Sequence, residues 1–305
     1  MTKTPSNRNA RRVLLFLGLT FGLTWLYCLT VLYPLISESG LGGVPTVSAQ
    51  LLTAAVMFFP ALSVLLTRLL TGEGMADSMV RPNLRGNLKV YLLVWFAPGV
   101  LTVLGSALYF LVFPHHFDPE FGYLTGLLST AGAGLADLPV PLPLLLAIQL
   151  VQALFLGPIL NFLPCFGEEW GWRGYLLPKL SQHLSPLPLV LVSGVIWGLW
   201  HAPLTVVGHN YGLDYPGFPF AGIAVMCLFC TVLGTIFSWA TLKTGSCIPA
   251  VVGHGAVNAI AAGGLLFTGA EGTYPLLGPA PSGILALLPF LIVAILLFRR
   301  WPEKE

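Results

Sequence analysis

Charge is what this chain has least of: only 9% of its 305 residues are Asp, Glu, Lys or Arg, while 56% are hydrophobic. An ordinary soluble domain carries about 25% charged residues, so a water-soluble globular protein is excluded. The net formal charge is only +2 and no basic patch stands out, which excludes a nucleic-acid partner. Cysteine is also sparse. Cys28, Cys165, Cys227, Cys230 and Cys247 are scattered in or beside apolar runs and read as small packing residues. The Cys227-x-x-Cys230 spacing lacks a second ligand pair, which argues against a zinc or redox centre. Internal repeats and extended polar domains are missing too. The polar stretches near 71–89 and 114–140 are short enough to be connections, so residues 1–305 read as a single membrane domain.

What the chain does have is long apolar runs. Eight candidate spans emerge, at about 13–35, 47–70, 90–113, 142–165, 187–207, 219–242, 247–268 and 282–298, each near the ~20 residues that cross a bilayer. If eight spans alternate, every Lys and Arg falls on one side, from Lys3, Arg8, Arg11 and Arg12 to Arg299, Arg300 and Lys304. The other side receives Glu38, Asp118, Glu120, Asp137, Asp214 and Glu271. The positive-inside rule then places both termini in the cytoplasm. The expected fold is an all-α, polytopic transmembrane helix bundle, a multi-pass integral protein of the cell membrane whose constant partner is the lipid bilayer. The first run is too long for a secretory signal and no small-residue cleavage site follows it.

Against this background Glu168 and Glu169 stand side by side in Gly167-Glu168-Glu169-Trp170-Gly171-Trp172-Arg173-Gly174. A charge at bilayer depth costs several kcal/mol, so an acid pair there marks a paired network or a working site. Glu169 and Arg173 are four apart with the acid first, the favourable order for an intrahelical ion pair, and Glu168 is turned about 100° from its neighbour. One acid is therefore expected to be paired and the other free. The plain alternative is that both acids merely close the fourth helix at headgroup level, with Arg173 and Lys179 as topogenic charges.

Two further motifs favour a site. Trp197-Gly-Leu-Trp-His201 places a histidine inside the fifth run, and His254-Gly-Ala-Val-Asn258 stacks two polar side chains on one face of the seventh. Small residues around His254 also let a neighbouring helix approach closely. Buried polar groups need partners, and three such positions beside an acid pair are expected to converge on one wet cavity. A carboxylate with histidine can activate water, and a histidine with an amide can donate to an oxyanion. Cys165 is a lesser candidate nucleophile. His115, His116, His183 and His209 read as surface or interfacial residues.

These three ordered motifs, over about residues 145–265, resemble the CPBP family of intramembrane endopeptidases, which includes CAAX prenyl proteases of the Ras-converting type and bacterial proteins of bacteriocin processing, immunity and abortive infection. The resemblance implies that Glu168 activates the hydrolytic water with His201, that Glu169 and Arg173 support the site, and that His254 and Asn258 hold the oxyanion. Its second motif usually begins with Phe. Trp197 here is expected to change packing more than chemistry. The family has been described both as glutamate and as metal-dependent proteases, and the chain has no HExxH motif. No cofactor is therefore assigned, and a divalent metal such as zinc, if used, would fall to Glu168, His201 and His254.

The expected reaction is hydrolysis of a peptide bond in a peptide or membrane-protein substrate, near the cytoplasmic half of the bilayer. The competing readings are a non-catalytic membrane scaffold or bacteriocin-immunity protein with the same polar cluster, and a proton-relaying transporter, disfavoured because no matched pair of interrupted helices is visible. Depth poses one problem. His201 lies about 20 Å from the start of its run at Pro188, whereas Glu168 falls near the cytoplasmic end of its own. Either the segment around Pro186 and Pro188 is interfacial, or the fourth helix sits deeper than its apolar run suggests.

Overall fold

The structure, a computed structural model, describes residues 5–38, 47–130, 132, 134–269 and 271–302, with the side chains of residues 5–7, 38 and 137 left aside. Lys3 and Lys304 thus lie outside the described residues, as do the side chains of Glu38 and Asp137. The described chain is helical, with a lone antiparallel bridge between Phe117 and Thr268. Helix α1 (Pro5–Tyr27) runs through a π-helical turn at Cys28–Leu32 into α2 (Tyr33–Glu38). Next come α3 (Val47–Ala55), α4 (Phe59–Thr71), α5 (Leu88–Val112), the short α6 (Gly122–Thr130) and α7 (Leu142–Leu160). The chain continues as α8 (Phe162–Gly171), a second π-helical segment (Trp172–Leu176), α9 (Leu177–Leu180), α10 (Pro186–Trp200), α11 (Ala202–Val206), α12 (Phe220–Thr244), α13 (Ile248–Ile260) and α14 (Leu288–Phe298).

Local chemistry sets the boundaries. Prolines sit in the first turn of α4, α10, α13 and α14, where a missing N–H costs nothing. Gly72 and Gly245 close α4 and α12 in the left-handed conformation, at φ of 62° and 66°, which a residue with a Cβ adopts reluctantly.

Six helical stretches are long and apolar enough to cross a membrane: Arg8–Ser37, Val47–Thr71, Leu88–Val112, Leu142–Leu160, Phe220–Thr244 and Ile248–Phe267. Two of the eight expected spans are instead shorter apolar helices, Pro186–Trp200 and Leu288–Phe298. The fifth run is interrupted at His201, which ends α10 before α11 begins. Leu69, Leu111, Leu160 and Phe220 are each more than three-quarters exposed. Such apolar surface is at home against lipid tails rather than water, and the protein is a multi-pass integral membrane protein.

The fourth run departs furthest from expectation. The apolar stretch ends near Cys165, but the helical path does not: after a turn at Asn161, α8, the π segment and α9 carry it on to Leu180. Pro158, inside α7, cannot donate to the helical ladder, and Asn161 adopts φ −87°, ψ 2° while its Nδ2 caps the Gly157 carbonyl at 2.9 Å. Glu168 is therefore mid-helix, about 16 Å along the path from Lys179, and Trp197 is about 16 Å from Pro186. The helical path thus extends well past the end of its apolar run, which brings Glu168 level with Trp197.

Contacts gather the helix ends into two faces. On one, Glu73 accepts hydrogen bonds from Lys179 and, at 2.8 Å, from the Tyr175 hydroxyl, with Arg12 at 3.5 Å. Asn9 donates to Gln182 at 2.6 Å, Asn83 to the Thr244 carbonyl at 3.0 Å and Trp239 to the Arg300 carbonyl at 3.1 Å. On the other, the Asp118 N–H donates to the Phe267 carbonyl, Ser106 to that of Pro279 and Tyr211 to that of Ser282. There His116 is buried, not a surface residue: its ring bonds the Tyr109 hydroxyl at 2.6 Å and stacks on Phe113.

Glu73 was not singled out by sequence, yet it ties three helix ends together with Lys179 itself buried. Glu73→Ala leaves Lys179 and Tyr175 without their acceptor and is expected to destabilise the protein by roughly 3–5 kcal/mol. Thermal unfolding in detergent should show a clear fall for Glu73→Ala and almost none for Arg81→Ala, an exposed charge on the same face.

Candidate active site

The three motifs meet in space. Glu168 and Glu169 lie on α8, Arg173 in the π segment, Trp197 and His201 at the end of α10, and His254 and Asn258 on α13. Glu168, Glu169, Arg173, His201 and His254 are all buried. Asn258 is exposed into the cavity described below. Glycines make the approach possible: a Cβ on Gly167 would strike the Met57 carbonyl oxygen at 2.5 Å, and one on Gly198 would strike the backbone of Cys227. Cys227 therefore serves the packing of α12 on α10, as its sequence context suggested.

The two acids divide as their helical phase predicts. Glu169 Oε1 accepts from Arg173 Nη1 at 3.0 Å and from His254 Nδ1 at 2.9 Å, while its Oε2 is buried without a protein donor. Glu168 Oε2 instead accepts from the indole Nε1 of Trp197 at 2.9 Å. The π-helical turn at Trp172–Leu176 inserts one residue per turn where Arg173 must fold back on Glu169, and such turns recur at functional sites. Arg173 is further held with its guanidinium 4.1 Å from the ring centroid of Trp197 and 5.5 Å from that of Phe237. Gly234 leaves it room, since a Cβ there would lie 3.1 Å from Nη2.

Trp197 is thus a junction and not only a packing residue. Its indole N–H holds Glu168, its ring lies under Arg173 and edge-on to His254 at 5.5 Å, and its carbonyl bonds His201 Nδ1 at 2.8 Å. The expectation that Trp in place of Phe changes packing more than chemistry leaves this bond out, because a phenyl ring has no N–H to offer. The signal was present in sequence: of Phe, Tyr and Trp, only Trp carries a ring N–H, which usually finds an acceptor when buried. The same bond settles the His201 tautomer. A carbonyl only accepts, so Nδ1 carries the proton and Nε2 is the free basic nitrogen.

A cavity of about 670 Å³ reaches this cluster and is lined by Glu168, Trp197, His201, His254 and Asn258 among apolar walls including Met226, Phe229 and Leu233. Its volume is within the usual range of ligand sites. Asn258 Nδ2 lies 3.7 Å from the buried sulfur of Cys165, and Cys165 does not line the cavity. His209, read as interfacial from sequence, lies on the cavity wall. Among the described residues no three His, Cys, Asp or Glu side chains are grouped as a metal would require. His254 Nδ1 is bonded to Glu169 and His201 Nδ1 to a carbonyl, which leaves Nε2 as the outer nitrogen of each ring.

Comparison with known proteins agrees with the geometry. Residues 145–260 match the family model described as type II CAAX prenyl endopeptidase, Rce1-like. The chain is also similar to the CAAX prenyl protease 2 of Methanococcus maripaludis, with 34% identity over 94 residues, 30% of this chain and 34% of that protein. The chain thus spans about a third of the length of the curated relative it matches. The matched segment contains all three motifs and the junction residue Trp197, and over residues 145–260 the chain is similar to the type II CAAX prenyl endopeptidases of the Rce1-like family.

Proposed function

We propose that this protein is an intramembrane peptidase that hydrolyses a peptide bond with a water activated by Glu168 and His201. One observation carries the reading: Glu168, held at one oxygen by Trp197, faces the same cavity as His201, His254 and Asn258. The bundle is inferred to cross the bilayer eight times as a single domain, the shorter α10 and α14 included, with both termini cytoplasmic.

In the proposed reaction, water bonds to the carbonyl carbon as one of its protons passes to the Glu168–His201 pair. The charge on the carbonyl oxygen meets the Asn258 amide and the outer nitrogen of His254. Collapse breaks the carbon–nitrogen bond, and the proton held by the pair goes to the leaving amine. Glu169 and Arg173 take no proton in this scheme. They hold His254 and offset the second carboxylate, so that a single mobile proton neutralises the remaining charge of the cluster. No step is routed through a metal.

Purified protein incubated in detergent with a quenched peptide library tests the reading, with cleavage expected and its absence counting against it. Glu168→Ala and His201→Ala should each abolish cleavage without unfolding the protein, and the double variant should be no worse than either, because the two act as one unit. A double variant far below both singles would contradict a shared water.

Asn258→Ala should reduce kcat by on the order of 100-fold with KM little changed, as expected for a donor used only in the transition state. Full activity of Asn258→Asp combined with loss on chelation would instead make the position a metal ligand. For Trp197, replacement by Phe keeps the ring beneath Arg173 but removes the donor to Glu168. It should lower kcat by at least ~10-fold and shift the pH–rate profile. An unchanged pH profile would reduce Trp197 to packing.

A further inference from the structure

The proposed reaction uses Glu168, His201, His254 and Asn258 from the cavity wall. Other polar groups on that wall are already satisfied: the Thr53 hydroxyl donates to the Ala49 carbonyl at 2.7 Å and the Trp200 indole to Thr24 at 2.8 Å. His209 is different. Among the described residues its ring has no hydrogen-bond partner and no ring contact, although it lines the cavity. Polar groups enclosed by protein are normally paired, and an imidazole left open on a cavity wall has only water or a ligand to pair with.

The turn after α11 is built to present this ring. Gly208, Asn210 and Gly212 take left-handed backbone angles, at φ of 93°, 69° and 70°, a conformation that Asn tolerates better than most residues with a Cβ. Buried Tyr211 anchors the turn by donating to the Ser282 carbonyl at 3.1 Å. Asn210 makes only a long contact, 3.8 Å from its Nδ2 to the sulfur of Met226. Both His209 and Asn210 are exposed, and both line the cavity. Enclosure by the surrounding protein lowers the His209 pKa below its ordinary value. The neutral ring then offers one donor and one acceptor nitrogen, and the Asn210 amide likewise offers both kinds of group. Among the described residues no Lys or Arg lines the cavity, so a carboxylate placed here would meet no fixed positive charge to offset its desolvation.

We propose that His209 and Asn210 form a specificity subsite for one uncharged substrate side chain that both donates and accepts hydrogen bonds, an Asn or Gln amide, carried in an otherwise apolar segment. The word substrate rests on the proposed peptidase, whereas the subsite as a binding site does not. Met226, Phe229, Leu233 and Leu265 give the rest of the segment apolar surface, and the amide fixes its register. A segment lacking the amide would strip water from His209 and Asn210 and put nothing in its place, which is how hydrogen-bonding sites reject apolar analogues. The subsite is near enough to His201 for charge on the two rings to interact, which puts the recognised side chain within a few residues of the bond cleaved. His209 touches no reacting atom in this scheme. It selects the segment that is held and leaves the bond-breaking step to Glu168 and His201.

Binding of fluorescent synthetic peptides tests the subsite without a peptidase assay. One series moves a single Gln stepwise through a segment of Leu and Ala, and matched series carry Met, of similar shape without the amide, or Glu at the same positions. Fluorescence anisotropy with the purified protein in detergent should give a Kd about 10-fold or more lower for Gln than for Met at one position, with Glu no better than Met. His209→Phe should erase that preference while leaving the Met peptide bound as before, and His209→Gln, which keeps a donor and an acceptor, should retain part of it. Asn210→Gly removes the amide but suits the left-handed turn, and should weaken the preference independently. Equal binding of the Gln and Met series at every position, tighter binding of Glu than of Gln, or a preference that survives both His209→Phe and Asn210→Gly would overturn the subsite. A Gln preference in a protein that cleaves no peptide would leave the subsite standing and remove only the peptidase. Cleavage without any such preference would do the reverse.

Discussion

Two adjacent carboxylates buried inside an apolar helix bundle are the constraint from which the rest of this structure follows. Neither can be left uncompensated, because an unpaired buried charge costs several kcal/mol even after relaxation. The compensation is unequal. Glu169 receives a guanidinium and an imidazole on one oxygen. Glu168 receives a neutral indole N–H and a cavity. The first arrangement fixes α8 to α13, and the second leaves a carboxylate available for chemistry.

The packing around the acids serves this division. Glycines at the crossing of α10 with α12 bring Trp197 against Arg173, and the π-helical turn lets Arg173 reach both Glu169 and the ring of Trp197. Trp197 then touches every polar member of the site except Asn258 and Glu169. A single side chain thus couples the orientation of Glu168 to that of His201, whose tautomer its carbonyl fixes. At the opposite end, Glu73 gathers α1, α4 and α9.

Much of this was legible in the sequence. Scarce charge and long apolar runs give an all-helical membrane bundle, and helical phase alone separates Glu168 from Glu169 and pairs the latter with Arg173. The spacing of His254 and Asn258 places both on one helix. What hydropathy could not show was the continuation of the fourth helix through Glu168 to Leu180, because that stretch is buried by protein contacts and needs no apolar run. The break at His201 was hidden for the opposite reason, since α10 and α11 are both apolar. The Trp197 donor and the Glu73 cluster depend on which residues meet across distant segments, and no local pattern encodes that.

The central claim is that the acid pair is split into a structural and a reactive member, and paired measurements of melting temperature and turnover on Glu168→Gln and Glu169→Gln test it most directly. The account predicts that Glu168→Gln abolishes peptide hydrolysis at an unchanged melting temperature. Glu169→Gln should lower the melting temperature, because the amide offers Arg173 and His254 a weaker acceptor in a buried site. Equal losses of stability in the two variants, or substantial turnover by Glu168→Gln, would contradict it.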